Sequence, residues 1–133
     1  MRVAARDAKL CEVTRCLIVD DSPSFLEAAM RVPQRDGITV VGTAGTIDAA
    51  LDRARELQPD AVLIDIWLGS ESGFDLARRL ADHEPNATLI LVSTHPEEDL
   101  ADLIAEAPVA GFVSKSQLSA DTVRRMVNGP QER

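Results

Sequence analysis

The sequence predicts an α/β fold in which a five-stranded parallel sheet is covered by helices on both faces. Three observations predict it. Five short apolar runs alternate strictly with stretches of helical periodicity. Those runs are continuous rather than alternating, as in strands buried on both faces. Aromatic residues make up only 3% of the 133 residues, so the core is built from Ala, Val, Leu and Ile, which suit helices packed on a parallel sheet.

The elements follow in order. Residues 1–14 show no clear period and read as an extension; residues 15–129 read as the folded domain and 130–133 as a tail. The first strand is Cys16-Leu17-Ile18-Val19, ending abruptly at Asp20-Asp21. Ser22 is a good N-cap and Pro23 suits the first helical position. Phe25, Ala28, Ala29 and Val32 then give a helical stripe that Pro33 stops. The second strand is Ile38 to Val41. Thr46 can cap a second helix with Ile47, Ala50, Leu51, Ala54 and Leu57 on its apolar face, closed by Pro59. Ala61 to Ile64 form the third strand, with Asp65 at its end. A loop through Gly69 and Gly73 leads to a helix that turns Phe74, Ala77 and Leu80 inward, and His83 falls on its surface. Leu89 to Val92 form the fourth strand, ending in Ser93-Thr94. A helix carries Leu100, Leu103 and Ile104 on its buried side. Val109 to Val113 form the fifth strand, followed by Ser114-Lys115, and a last helix spans Ser119 to Val127.

Composition excludes some functions. The net charge is −8, whereas non-specific nucleic-acid binding needs clustered Lys and Arg. This chain is therefore not expected to bind DNA directly. It has no transmembrane run and no signal peptide, so a cytoplasmic protein with no membrane partner is expected. Cys11 and Cys16 then read as reduced thiols.

Open parallel sheets bind ligands beyond the carboxyl ends of their strands, where strand order reverses. The residues there are Asp20, Asp21, Asp65, Ser93, Thr94 and Lys115. With the order 2-1-3-4-5 they meet at one edge. Three carboxylates at close range repel one another unless a cation intervenes. No Cys or His stands among them, so the ligand set disfavours zinc and suits Mg2+. A carboxylate attacking phosphorus gives an acyl phosphate, and that chemistry needs positive charge opposite the incoming oxygens. Lys115 can supply it, and the Ser93 hydroxyl can hydrogen-bond the group. Singly, each residue has an ordinary structural reading: an Asp pair caps a turn, a lone Lys is solvated, Phe112 is core. Their joint occurrence at matching strand ends favours a site.

Four segments carry a resemblance: Leu17-Ile18-Val19-Asp20-Asp21-Ser22; Val62 to Gly69 with Ser72-Gly73; Leu89 to Ser93; and Ala110-Gly111-Phe112-Val113-Ser114-Lys115. In this order and spacing they resemble the receiver domains of bacterial two-component response regulators. The resemblance covers roughly Arg15 to Asn128. It implies a flavodoxin-like, doubly wound five-stranded parallel sheet with five helices. It implies that Asp20 and Asp21 hold Mg2+, Asp21 more directly, and that Asp65 is both ligand and phosphoacceptor. The backbone carbonyl of Trp67 would complete the metal site and Lys115 would pair with the phosphoryl group. Ser93 would move toward that group and Phe112 would rotate inward behind it.

The implied phosphodonor is a histidine kinase or phosphotransfer protein. The implied output surface, and homodimer interface, is the fourth helix, fifth strand and fifth helix, with Glu97, Glu98 and Asp102 facing outward. The chain would act alone or as the receiver part of a helix-turn-helix transcription factor, and would not be an enzyme beyond its own phosphotransfer and autodephosphorylation. Three positions depart from the pattern: Gly69 and Ser116 stand where many receivers carry proline, and Trp67 is a bulky residue beside the acceptor. The Lys-Pro bond of those receivers is cis; without proline a trans bond is expected here. Trp67 and His95 form an unusual rim expected to slow self-dephosphorylation by excluding water. Two competing readings are a haloacid dehalogenase-type phosphatase with an aspartyl nucleophile and a degenerate receiver that only binds protein. The first wants an Asp two residues after the nucleophile, where Trp67 stands; the intact Asp21, Asp65 and Lys115 argue against the second.

Overall fold

The computed structural model describes residues 14–30, 37–94 and 100–128. The sheet is built from β1 (Thr14–Val19), β2 (Ile38–Ala44), β3 (Ala61–Asp65), β4 (Thr88–Ser93) and β5 (Gly111–Ser114). All its pairings are parallel and the spatial order is β2-β1-β3-β4-β5, the expected arrangement. The helices are α1 (Pro23–Met30), α2 (Ile47–Leu57), α3 (Gly73–His83), α4 (Ala101–Glu106) and α5 (Ala120–Asn128). The chain runs from β1 outward to β2, then returns past β1 to β3. The carboxyl ends of β1 and β3 therefore flank the point of reversal, where such sheets leave a crevice.

Two apolar layers cover the sheet. On one face Leu17, Val19, Val62, Ile64, Leu89 and Leu91 pack against Ala50 and Ala54 of α2 and Leu76, Ala77 and Leu80 of α3. On the other, Cys16, Ile18, Leu63, Ile90, Val92 and Val113 meet Val123 of α5, with Phe25 and Leu26 of α1 packed alongside. Alternate residues of each strand thus serve opposite layers. Burial pushes the Cys16 thiol up to about 12, with Asp60 adding to the effect. His83 is exposed in the last turn of α3, as expected.

Local signals explain the helix starts. Ser22 accepts a hydrogen bond from Phe25 N at 3.3 Å and Pro23 opens α1. Thr46 caps α2 through Ala49 N, and Ser72 caps α3 through Phe74 N at 3.1 Å.

The structure corrects several readings. On α1 the packed residues are Phe25 and Leu26, while Ala28 is exposed; Val32 and Pro33 lie outside the described residues. β1 begins at Thr14 and β2 runs on to Ala44, because parallel pairing with β1 continues along the whole strand. β5 begins at Gly111 rather than Val109. Leu103 of α4 is not buried but 53% exposed. Leu100 and Ile104, four residues apart, take the packed line on this short helix. Leu103 lies about 100° around the axis from Ile104 and falls outside it. Asp102 faces outward as expected; Glu97, Glu98 and His95 lie outside the described residues.

Candidate functional site

The site stands at the carboxyl edge of the sheet, beyond the ends of β1, β3, β4 and β5. Asp20 follows β1 and is 1% exposed, while Asp65 closes β3 and is buried. Asp21 turns into solvent, yet one carboxylate oxygen of each of Asp20, Asp21 and Asp65 lies within 4.8 Å of the others. Lys115 follows β5 and reaches back into the cluster. Its Nζ is 2.6 Å from Asp20 Oδ2 and 3.5 Å from Asp65 Oδ2. Asp20 is held from its other side, where Oδ1 accepts a hydrogen bond from Ser22 N at 2.8 Å. The close contact of Asp20 Oδ2 with Lys115 is an ion pair, and this buried oxygen has no well-directed hydrogen bond among the described residues.

The electrostatics are lopsided. Asp65 has its pKa raised, first by burial and then by the neighbouring Asp20, and Lys115 only partly offsets this. Burial works to lower the Lys115 pKa, but Asp20 and Asp65 outweigh it and the net shift is upward. The cluster therefore holds more negative charge than one ammonium neutralises. An oxygen-only donor set with this imbalance can hold a hard divalent cation.

Ser93 ends β4 and is fully buried, whereas Thr94 is exposed. Phe112 is half-buried and pairs in register with Leu91, so it lies on the same sheet face as Leu91 and Ser93.

The segment after Asp65 is more ordered than a loop. Trp67–Leu68 and Glu71–Ser72 form a small antiparallel hairpin. Its turn sets Gly69 at φ +65°, a left-handed conformation that proline, locked near −65°, cannot take. The glycine at this position thus belongs to a differently shaped turn. Trp67 is 50% exposed at the rim, and its N–H donates to Asp65 Oδ1 at 3.3 Å. No peptide bond is cis among the described residues; the Lys115–Ser116 bond is trans, as expected, and leads into a short 3-10 turn over Lys115–Gln117.

Sequence reasoning missed three contributors. Phe25 was legible only as a core residue, yet its ring centroid lies 4.5 Å from Lys115 Nζ and steadies the ammonium by a cation–π contact. Gly73 lets the start of α3 lie directly on the backbone of Asp65 and Ile66. Glu71 reaches α2, where it accepts a hydrogen bond from Ile47 N at 2.9 Å. The sequence placed Gly73 only in the loop before the helix; nothing in it pairs residue 71 with residue 47.

Comparison with known proteins places the chain in a family. Residues 16–128 match the family model of the response regulator receiver domain. The chain is 31% identical over 111 residues to response regulator GacA of Pseudomonas viridiflava, covering 83% of this chain and 52% of that protein. It is 29% identical over 110 residues to transcriptional regulatory protein MctR of Rhizobium johnstonii, covering 82% and 51%. The signal receiver domain of NarL from Mycobacterium tuberculosis superposes with a TM-score of 0.79 at 26% identity, covering 90% of this chain and 99% of that one. The chain spans about half the length of the curated relatives it matches. No helix among the described residues is long and apolar enough to cross a membrane. The chain belongs to the receiver domains of two-component response regulators, a family whose members here include transcriptional regulators.

Proposed function

We propose that this receiver accepts a phosphoryl group on Asp65 from a phosphohistidine of a histidine kinase or phosphotransfer protein. The observation that carries the reading is the Asp65 carboxylate, 3.5 Å from Lys115 Nζ and clustered with the oxygens of Asp20 and Asp21. In the transfer an Asp65 oxygen bonds to phosphorus, the P–N bond breaks, and the imidazole leaves with the electron pair and takes up a proton. The product is an acyl phosphate.

Asp20, Asp21, Asp65 and the backbone carbonyl of Trp67 would hold Mg2+, and the three carboxylates, with one oxygen of each within 4.8 Å of the others, support that assignment. When bound, the ion would supply positive charge that offsets the charge of the phosphoryl group. Lys115 orients and neutralises the group from the other side, and Phe25 holds the ammonium in place. The Ser93 hydroxyl then donates a hydrogen bond to a phosphoryl oxygen, drawing Phe112 inward and reshaping the α4-β5-α5 surface. The exposed Leu103 on α4 gives that surface an apolar contact for a partner or a second copy. The domain would act alone or as the receiver part of a DNA-binding regulator, without touching nucleic acid itself. No carboxylate stands two residues after Asp65, so a phosphatase reading gains no support.

The test is direct. With Mg2+ and acetyl phosphate, intact mass should rise by one phosphoryl group, and Asp65→Asn should abolish the gain. No gain in the wild type with any small donor or kinase overturns the reading. The lifetime of the phosphate tests the rim. Replacing Trp67 and His95 by serine is expected to shorten it several-fold by admitting water; an unchanged lifetime removes the rim from the account.

A further inference from the structure

We propose that Glu71 is a positioning residue for the metal site, acting as a clip between the hairpin and α2. This rests on the Mg2+ reading above and adds a residue that reading does not use.

The hairpin is the segment whose Trp67 carbonyl would face the ion, so its placement sets the geometry of that ligand. Its first strand is anchored in the core by Leu68, which is 3% exposed. Its second strand carries no comparable apolar anchor: Glu71 and Ser72 are both half-buried and polar. Ser72 fastens one end by capping α3. Glu71 stands directly opposite Leu68 beside the turn. Its Oε1 accepts from Ile47 N at 2.9 Å, a bond between residues 24 positions apart.

The bond suits both partners. Ile47 is the first residue of α2, so its N–H has no acceptor within the helix. Thr46 already satisfies Ala49 N, leaving Ile47 N for an outside acceptor. A carboxylate there also meets the positive end of the helix dipole. Glu71 therefore ties the hairpin to the first turn of α2 through a directed bond. Without it the second strand keeps its pairing with the first strand and its anchorage at Ser72 and Gly73, but Trp67, paired with Ser72 across the hairpin, loses one of the restraints that aim its backbone. A supporting contact behind a metal ligand typically matters by tenfold or more in affinity.

The experiment compares wild type, Glu71→Gln and Glu71→Leu. Gln keeps the acceptor oxygen and removes the charge; Leu removes both at similar length. The metal-free Ile47 amide shift reports whether the clip is made. Mg2+ affinity is read from Trp67 fluorescence and, independently of that residue, from the rise in melting temperature with Mg2+. We expect Glu71→Leu to move the Ile47 amide and weaken Mg2+ about tenfold, with Gln restoring both. Phosphorylation by acetyl phosphate should then need more Mg2+ for half-maximal rate while the rate at saturating Mg2+ holds. Equal Mg2+ affinity in wild type and Glu71→Leu overturns the clip. Equal weakening in Gln and Leu also overturns it, because the charge alone would then account for the effect. A wild type that binds no Mg2+ removes the metal-site reading, and the clip falls with it.

Discussion

Asp65→Asn is expected to raise the melting temperature of the metal-free protein at neutral pH, while Lys115→Met lowers it. Both effects come from the same unbalanced cluster. Burial and Asp20 raise the Asp65 pKa in the fold above its ordinary value of 3.8. A carboxyl group that binds its proton more tightly when folded makes stability fall as pH rises. Below 3.8 the group is protonated in both states and costs nothing. Above its raised pKa the cost is present in full. The gain from Asp65→Asn should therefore be absent near pH 3.5 and largest at pH 7 in EDTA. A gain that is flat with pH, or a loss, would contradict the sign.

Lys115 works in the opposite direction. Its pKa is raised in the fold, above the ordinary 10.5, so its contribution is fully present below 10.5 and is lost only as pH climbs through the higher value. Lys115→Met removes it throughout the neutral range and leaves Asp20, 1% exposed, facing Asp65 without a counter-ion. Breaking a buried pair costs 3–5 kcal/mol, and the partial exposure of Lys115 brings the expectation to about 2 kcal/mol. Thermal melts of wild type, Asp65→Asn and Lys115→Met at pH 7 check the ordering. Adding Mg2+ should reverse it for the first pair, because wild type gains binding energy that Asp65→Asn has given up.

Gly73→Ala is expected to be the most damaging single-methyl change in the domain. An alanine Cβ there would overlap the Asp65 carbonyl oxygen and lie 2.9 Å from Ile66 Cα. Those are backbone atoms of the acceptor segment, so no side-chain rotation relieves the overlap. Gly73 N also donates to Ile66 O at 2.7 Å, which locks the two segments together. Either α3 shifts or the end of β3 does. Overpacking of this kind costs about 3 kcal/mol, or about 10 °C in melting temperature for a domain of this size. The displaced Asp65 should also lower the rate of phosphoryl uptake in the fraction that stays folded. Gly69→Ala is the control: its Cβ would meet only Asp21 Oδ2, at an ordinary 3.7 Å, so the left-handed φ is its main penalty.

Much of this was legible because it depends on local pattern. Cys16-Leu17-Ile18-Val19 followed by two Asp reads as a buried strand ending at a polar edge, and Ala61 to Asp65 repeats the signal. Once strand ends are known, a parallel sheet brings them together, and Asp20, Asp65 and Lys115 meet as expected. Leu103 was misread because a six-residue helix buries a narrower line than its apolar residues suggest. The hairpin was missed because Trp67-Leu68 and Glu71-Ser72 are too short to show a period.

The alternation of elements, the chemistry available at each strand end and the departures at Gly69 and Ser116 could all be read along the chain. Those are properties of neighbouring residues, and neighbours are what periodicity, capping and turn preferences report. It takes the folded chain to bring Phe25 against the Lys115 ammonium, Gly73 onto the Asp65 backbone and Glu71 to Ile47. Each joins residues distant in the chain, through packing and directed hydrogen bonds that carry no signature in local composition.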